Sequence, residues 1–191
     1  MEIEAKLKVD SLHDVERRLL ACDASFVRET RQRDTYFDTA DRRLTRGDEA
    51  LRLRRDRTGG QERLTLGYKG PKQQDDYKKR PEIEVRVGAA RATEALLAAL
   101  GYEKALVLEK RRRLWRLRDC EVALDELPLL GAFVEIEGPD SGAIAHVQDA
   151  LDLAGLSHTM DSYACLIERE LARLGREPRE VYFEKKGDLQ G

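Results

Sequence analysis

Apolar and charged residues alternate along several short stretches of this chain. The first nine residues, MEIEAKLKV, set apolar side chains such as Ile3 and Leu7 against charged ones such as Glu4 and Lys6. A period of two predicts a β-strand with one apolar and one charged face. The same alternation returns in EALRLRRDR, ERLTLGYKG, YKKRPEIEVRV and AFVEIE, so the chain is expected to build much of its fold from such strands.

The pattern predicts about eight strands joined largely by hairpins, with helices between or after them. The strands are expected over 1–9, 24–38, 49–57, 62–70, 77–87, 102–116, 119–126 and 132–137. A helical period predicts helices over 11–23, 91–100, 141–156 and 162–175. This order predicts an α+β fold, an eight-stranded antiparallel closed β-barrel, or tunnel, with the helices packed outside. One domain is expected over 1–175, followed by a polar tail over 176–191.

Composition limits the classes of function. The chain has 191 residues, of which 38% are charged, yet its formal net charge is only −2. That balance argues against a nucleic-acid binder that depends on bulk positive charge. No stretch has the length of a membrane span and the N-terminus is charged, so a cytoplasmic protein without a membrane partner is expected. A homodimer is compatible with the sequence.

Cysteine and histidine give no sign of a metal site. Cys22, Cys120 and Cys165 are widely spaced and do not pair with histidines at metal-binding intervals, so free thiols are expected. The three histidines are isolated in sequence and are interpreted as surface or structural residues.

The charged strand faces are the candidate functional feature. In a closed sheet one face of every strand points inward, and the apolar faces here are regular enough to pack against the helices. By elimination the charged faces are expected to line the interior. The alternative is that each face is solvated and ion-paired; one triplet would favour that alternative, whereas repetition over several strands favours a cavity. The expected lining residues are Glu2, Glu4, Lys6, Arg52, Arg54, Lys69, Glu82, Glu84, Lys110, Arg112, Asp125, Glu135 and Glu137.

Both signs of charge in one cavity indicate a ligand class. Arginine and lysine side chains suit a polyphosphate. Carboxylates hold hard cations such as Mg²⁺ or Mn²⁺, which in turn bridge phosphate oxygens. The sequence therefore predicts a metal-assisted site for a triphosphate-containing small molecule.

These residues together resemble the CYTH family, the triphosphate tunnel metalloenzymes. The resemblance rests on the order of the charged motifs from Met1 to about Leu174, each weak alone. The runs LEKRRRLWR and LDELPLLGAFVEIEG are similar in particular to the bacterial class IV adenylate cyclase, or CyaB-like, branch. The motifs are Glu2-x-Glu4-x-Lys6, Arg52-x-Arg54, Lys69, Glu82 with Glu84, Lys110-x-Arg112, Asp125, and Glu135-x-Glu137.

The resemblance implies a triphosphate-cleaving enzyme that uses Mg²⁺ or Mn²⁺. By motif, the implied metal ligands are Glu2, Glu4, Asp125, Glu135 and Glu137. The implied triphosphate-binding residues are Lys6, Arg52, Arg54, Lys69, Lys110 and Arg112. Glu82 and Glu84 match a position that orients basic residues or helps to bind metal, with Glu82 preferred. Lys69 best matches a lysine that positions or deprotonates the attacking water, although simple phosphate contact is equally compatible. Tyr36 and Asp38 match a further family position and are assigned a structural role.

The motifs leave the reaction open. A class IV adenylate cyclase converts ATP to cyclic AMP and pyrophosphate, whereas a triphosphatase hydrolyses tripolyphosphate, thiamine triphosphate or a nucleoside triphosphate. The strand residues address the phosphates and not the base, so they do not separate the two. A non-catalytic module that binds polyphosphate is the alternative from another class.

Overall fold

The fold is described from a computed structural model that covers residues 2–72, 78–176 and 179–183. Its strands are β1 (Glu2–Val9), β2 (Ser25–Thr39), β3 (Ala50–Thr58), β4 (Gln61–Lys69), β5 (Lys78–Arg80), β6 (Glu82–Arg86), β7 (Tyr102–Leu117), β8 (Cys120–Leu127), β9 (Gly131–Glu137) and β10 (Glu180–Val181). Its helices are α1 (Leu12–Ala21), α2 (Arg43–Arg46), α3 (Ala90–Ala99), α4 (Ser141–Ala150) and α5 (Tyr163–Arg173).

Nine of these strands form one continuous antiparallel sheet. Their spatial order is β5-β1-β9-β8-β7-β2-β3-β4-β6, and β10 pairs with β7 in parallel. The long strands β2 and β7 pair from Ser25↔Arg116 to Thr39↔Tyr102 and lie at the centre of the sheet. The predicted α+β class and antiparallel sheet are therefore confirmed.

The closed eight-stranded barrel is not confirmed. One predicted strand is divided into two, β5 and β6, at Pro81. Residues 77–87 were expected to form one strand, but proline has no N–H to donate to a ladder, and the segment divides there. β5 pairs with β1 at one edge of the sheet, while β6 pairs with β4 at the opposite edge. Within the described residues no ladder joins β5 to β6, so hydrogen bonds do not close the sheet. The two edges are instead linked covalently through Pro81.

Contacts around Gly70 hold this link in place. The backbone N–H of Gly70 donates to the carbonyl oxygen of Pro81 at 2.9 Å. The carbonyl oxygen of Gly70 accepts from Nε of Arg80 at 2.7 Å. A Cβ atom at position 70 would lie 2.7 Å from Cγ of Pro81, so only glycine fits here without displacing its neighbour.

Most of the hydrophobic core lies outside the sheet, between its apolar face and the helices α1, α3 and α4. The largest cluster joins α1 and α4 to β1, β7, β8 and β9, and includes Leu7, Leu19, Val122, Ile136 and Ile144. A second cluster packs α3 against β2 and β3 on the same outer face. The third packs α5 against β7 and β9 on the charged face instead, since Phe133 lies two residues from Glu135 on β9, so the expectation that all helices pack outside the sheet is wrong for α5. The apolar faces therefore point outward to α1, α3 and α4, which leaves the opposite, charged faces on the concave side.

Local signals account for the helix starts. The Ser11 hydroxyl accepts from the N–H of Asp14 at the start of α1, and the Ser162 hydroxyl accepts from the N–H of Cys165 at the start of α5. Asp38, at the end of β2, accepts from the N–H groups of Leu44 and Thr45 and so caps α2. The structural role predicted for Asp38 is thus visible in its contacts.

Part of the predicted polar tail docks on the sheet. Val181 is buried in the cluster under α5. The rings of Tyr182 and Phe183 lie 4.6 and 4.2 Å from the guanidinium carbons of Arg33 and Arg111. Residues 177–178 and 184–191 of the predicted tail lie outside the described part of the chain.

Two further expectations concern the whole chain. Cys22, Cys120 and Cys165 are free thiols, as predicted. Among the described residues, no helix is both long and apolar enough to cross a membrane.

Candidate active site

The charged faces of the strands line one cavity of about 630 Å³ on the concave side of the sheet. The cavity combines side chains of both signs, and the cationic ones are the more numerous. Its basic lining residues are Lys6, Arg28, Arg52, Arg54, Arg63, Lys69, Arg80, Lys110 and Arg112. Its acidic lining residues are Glu4, Asp56, Glu82, Glu84, Glu121, Glu135 and Glu137.

Asp125 lies beneath the lining and organises one wall of it. The carboxylate is 0% exposed and faces β7 from β8. Arg112 donates to both of its oxygens, with Nε 2.7 Å from Oδ1. Lys110 Nζ lies 3.1 Å and the Tyr163 hydroxyl 3.0 Å from Oδ2. Burial acts to raise the pKa of Asp125, but the charges of Arg112 and Lys110 outweigh it and hold that pKa below its usual value.

Lys110 is buried among other cations. Its side chain is 2% exposed, and its ammonium lies 5.0 Å from the centroid of the Tyr163 ring. Burial first, and then the neighbouring charge of Arg112, lowers the pKa of Lys110 to about 7, although Asp125 acts in the opposite direction.

A second buried carboxylate, Asp34, organises the adjacent part of the lining, on β2 and β3. Arg54 donates to it through Nε and Nη2, both at 2.7 Å, and Arg52 Nη1 lies 3.6 Å away. Burial acts to raise the pKa of Asp34, but the charges of Arg54 and Arg52 prevail and lower it far below its usual value. Asp34 is therefore ionised at neutral pH and holds the arginines on β3.

Four glutamates and a lysine line the cavity from β1, β9 and β8, which run side by side. Glu4 lies directly opposite Glu137, and Glu137 lies opposite Glu121. Lys6 lies opposite Glu135, and its ammonium is 3.3 Å from that carboxylate and 3.7 Å from Glu4. Like charges directly opposite one another on paired strands are destabilising. A cation beside this row of glutamates would therefore stabilise it.

The donor chemistry of this row fits a hard divalent ion. Oxygen ligands of the carboxylate type are those that Mg²⁺ and Mn²⁺ prefer. In the part of the chain that the structure describes, no three histidine, cysteine or acidic side chains form a group able to hold a metal ion. Of the predicted metal ligands, Glu4, Glu135 and Glu137 line the cavity, whereas both oxygens of Asp125 accept hydrogen bonds. The side chain of Glu2 lies outside the described residues.

Lys69 and Glu82 form an ion pair at the edge of the cavity next to the link at Pro81. They are direct partners across β4 and β6, and their side chains are 21% and 17% exposed. Glu84, two residues further along β6, lies 3.3 Å from Nη2 of Arg52. Both glutamates thus contact basic residues, the orienting role implied for this position.

Comparison with known proteins decides the family. A model of the CYTH domain matches residues 1–158 of this chain. The chain belongs to the CYTH family. The CYTH match ends before α5, so Tyr163 contributes to the site from outside the matched segment.

Relatives agree with this assignment. The CYTH protein is 33% identical over 137 residues to a provisionally named adenylate cyclase, MJ0240, of Methanocaldococcus jannaschii, covering 72% of this chain and 76% of that protein. Its fold is similar to that of the PH1819 protein of Pyrococcus horikoshii, with 28% identity, a TM-score of 0.78, and coverage of 88% of this chain and 99% of that one.

A more distant structure supports the fold alone. A Hippeastrum protein named HpAC1, described as an adenylyl cyclase with a dominant triphosphatase activity, has a TM-score of 0.67 at 18% identity. The similarity covers 93% of the CYTH protein and 98% of that chain. Membership of the CYTH family and the name of the 33% identical relative support an enzyme and do not establish its reaction.

The structure brings most of the predicted residues of the CYTH site together. The cavity lining includes Glu4, Lys6, Arg52, Arg54, Lys69, Glu82, Glu84, Lys110, Arg112, Glu135 and Glu137, with Asp125 directly beneath. Sequence reasoning missed Asp34 and Tyr163, and also the lining residues Arg28, Arg63 and Arg80. The sequence did contain a signal for Asp34, which lies two residues before Tyr36 on β2 and therefore on the same face of the strand. The sequence contained no such signal for Tyr163, because it lies on helix α5 and not on a strand with a charged face.

Proposed function

We propose that this CYTH protein is an enzyme that hydrolyses a triphosphate chain held in the charged cavity, with Mg²⁺ or Mn²⁺ as cofactor. The observation that carries this proposal is the convergence of nine lysine and arginine side chains on one cavity. Such a concentration of positive charge suits a ligand with several negative charges close together.

The arginines are arranged to donate to phosphate. Arg54 and Arg112 each use Nε and Nη2 for a buried aspartate, and neither Nη1 group makes a hydrogen bond within the described residues. The guanidinium groups therefore keep donors for the phosphate oxygens while remaining fixed in place. Prearranged donors of this kind stabilise the charge that develops during phosphoryl transfer.

The acidic residues support a role for a metal ion. Glu4, Glu135 and Glu137 would hold it, with Glu2 and Asp125 as the further ligands implied by the family. A bound divalent ion would neutralise negative charge on the phosphate oxygens. A module that only bound polyphosphate would gain nothing from these carboxylates, since they repel the ligand, and this favours an enzyme over a binding module.

Hydrolysis is favoured by the polar character of the lining. Of the described lining residues, Ala50 and Leu114 are the only aliphatic ones. A substrate bound here is therefore recognised mainly through its phosphates. Lys69, held by Glu82, is the residue that would orient the attacking water.

Cyclisation of ATP is the second candidate, and the name of the 33% identical relative favours it. In that reaction the ribose 3′-hydroxyl replaces water as nucleophile and pyrophosphate leaves. The same phosphate-binding residues would serve both reactions.

The test is a product assay with three substrates. The protein is incubated with inorganic triphosphate, thiamine triphosphate and ATP, each with Mg²⁺, with Mn²⁺ and with a chelator. We expect metal-dependent release of phosphate from inorganic triphosphate. Cyclic AMP and pyrophosphate from ATP would favour the cyclase instead. Binding that survives chelation without any product would favour the binding module and contradict an enzyme.

A further inference from the structure

We propose that Asp34 is a positioning residue, which fixes the guanidinium of Arg54 so that its free Nη1 edge is presented to the bound phosphates. This inference rests on the proposed function of the cavity. It assigns a catalytic consequence to a residue that carries a negative charge inside an anion-binding site.

The geometry joins Asp34 and Arg54 rigidly. They are direct partners across β2 and β3, so the two backbones hold them at a fixed separation. The two parallel hydrogen bonds, both 2.7 Å, set the plane of the guanidinium as well as its position. The Asp34 side chain is 2% exposed, which protects the pair from competition by water.

The same arrangement occurs a second time in the cavity. Arg112 contacts Asp125 through the same two nitrogen atoms, Nε and Nη2, and also leaves Nη1 without a partner within the described residues. The charge of Lys110 acts on both aspartates. Lys110 is thus flanked by two arginines, each fixed by a buried aspartate. A repeated geometry of this kind supports a shared role in holding cationic donors.

The sign of the charge argues against a role in affinity. A carboxylate in a cavity for a polyanion repels the ligand, so Asp34 weakens ground-state binding. Orientation of Arg54 in the transition state is the compensating gain, because a fixed donor stabilises developing charge without reorganisation. A purely structural ion pair between β2 and β3 would instead affect stability alone.

The experiment compares four variants of the full chain: Asp34→Asn, Arg54→Ala, the double variant, and Asp38→Asn as a matched control. Asp38 is also a buried carboxylate on β2, at 3% exposure, but it caps α2 and contacts neither arginine. Inorganic triphosphate is the probe. Its dissociation constant is measured by calorimetry in chelator, its kcat and KM are measured with Mn²⁺, and urea unfolding reports stability.

We expect Asp34→Asn to bind inorganic triphosphate at least as tightly as the unaltered protein, while kcat falls by about 30-fold. In the Arg54→Ala background the same substitution should change kcat by less than about twofold, since its effect acts through Arg54. Asp38→Asn should lower stability and leave both kcat and the dissociation constant unchanged.

Equal kcat values for the Asp34→Asn and Asp38→Asn proteins would overturn the inference, as would a full additional loss of kcat in the double variant. If Asp34→Asn does not fold, the double variant, in which Arg54 no longer faces a missing partner and Arg52 keeps its contact with Glu84, is compared with Arg54→Ala alone. Unchanged kcat between these two supports the inference, and a 30-fold loss overturns it. An unaltered protein that neither binds nor cleaves triphosphates would contradict the proposed function itself, a result distinct from either outcome.

Discussion

Lys6 and Glu135 face each other across β1 and β9, with Nζ of Lys6 3.3 Å from Oε1 of Glu135. The same ammonium lies 3.7 Å from Glu4 and donates to the carbonyl oxygen of Asp161 at 3.2 Å. One buried lysine thus compensates two of the carboxylates proposed to hold metal. The proposed divalent ion would act on the same oxygen atoms as the charge of Lys6.

Replacing Lys6 by methionine tests this relationship. Lys6→Met should lower the free energy of unfolding by about 3 kcal/mol in chelator, because it leaves buried carboxylates without their cation. Millimolar Mg²⁺ or Mn²⁺ should recover part of that loss. Urea unfolding with and without the ion measures both effects. Lys8→Met, at an exposed position on the same strand, is the control and should change little in either condition.

Tyr163 supports three charged residues at once. Its hydroxyl donates to Asp125, and its ring centroid lies 4.2 and 5.0 Å from the ammonium groups of Lys6 and Lys110. Tyr163→Phe keeps the ring but removes a hydrogen bond to a buried charge, which should cost about 2 kcal/mol of stability and lower turnover. In Tyr102→Phe, where the hydroxyl only contacts Arg43 near the surface, the change should stay within about 0.5 kcal/mol. Equal losses in both variants would contradict this role.

The pairing of Lys69 with Glu82 predicts a coupled effect on turnover. Glu82→Gln should lower kcat by about tenfold, because the lysine proposed to orient the attacking water loses its partner. The same substitution should have little effect in a Lys69→Met protein. Glu62→Gln, which alters an ion pair with Arg57 in the β3–β4 hairpin, is the control. Additive losses for the two positions would show that Glu82 acts independently of Lys69.

The pKa of Asp34 predicts a pH dependence of stability. Because Arg54 and Arg52 lower that pKa in the folded state, the charged carboxylate stabilises the fold above its unfolded pKa of about 3.9. This contribution is lost as the pH falls from there towards the folded pKa. The difference in unfolding free energy between the unaltered protein and Asp34→Asn should therefore be constant from pH 7 to 5 and shrink below about pH 4. Urea titrations down to pH 2.5 measure it, and a constant difference over the whole range would be inconsistent with this assignment.

The link between the sheet edges predicts a strict need for glycine at position 70. Gly70→Ala places a methyl group 2.7 Å from Cγ of Pro81 and should cost about 1–3 kcal/mol. Gly88→Ala, where nothing lies within 4 Å of the added Cβ, is the matched control. Thermal unfolding of both variants measures the difference, and equal midpoints would show that the link tolerates displacement.

Strand parity predicted many of the residues that face the cavity. The period of two in β1, β3, β7 and β9 assigns Lys6, Arg54, Lys110 and Glu135 to the charged face without reference to any other strand. Pro81 also carried a signal, since a proline within a strand marks an edge or a break. That signal was present in the sequence but was not used to divide the strand.

The pairing of specific charges could not be predicted. Arg54 meets Asp34 because of the register between β2 and β3, and a shift of one residue would turn every side chain to the other face. Tyr163 reaches Asp125 only because α5 packs against Phe133 on β9, a tertiary contact with no local pattern. Which arginine is fixed by which carboxylate is therefore decided by the assembled sheet.

The position of β1 between β9 and β5 also determines when this cavity can form. Glu2–Val9 is synthesised more than 120 residues before its main partner, because its longest ladder is with Gly131–Glu137. Pairing between segments so distant in sequence is slow, because the chain loses the entropy of closing a long loop before the stabilising contacts form. A nascent chain that ends before β9 lacks Glu135 and Glu137 and leaves Lys6 without its cross-strand partner. The proposed affinity for triphosphate therefore requires a chain that extends through β9, and shorter nascent chains should not compete for the ligand.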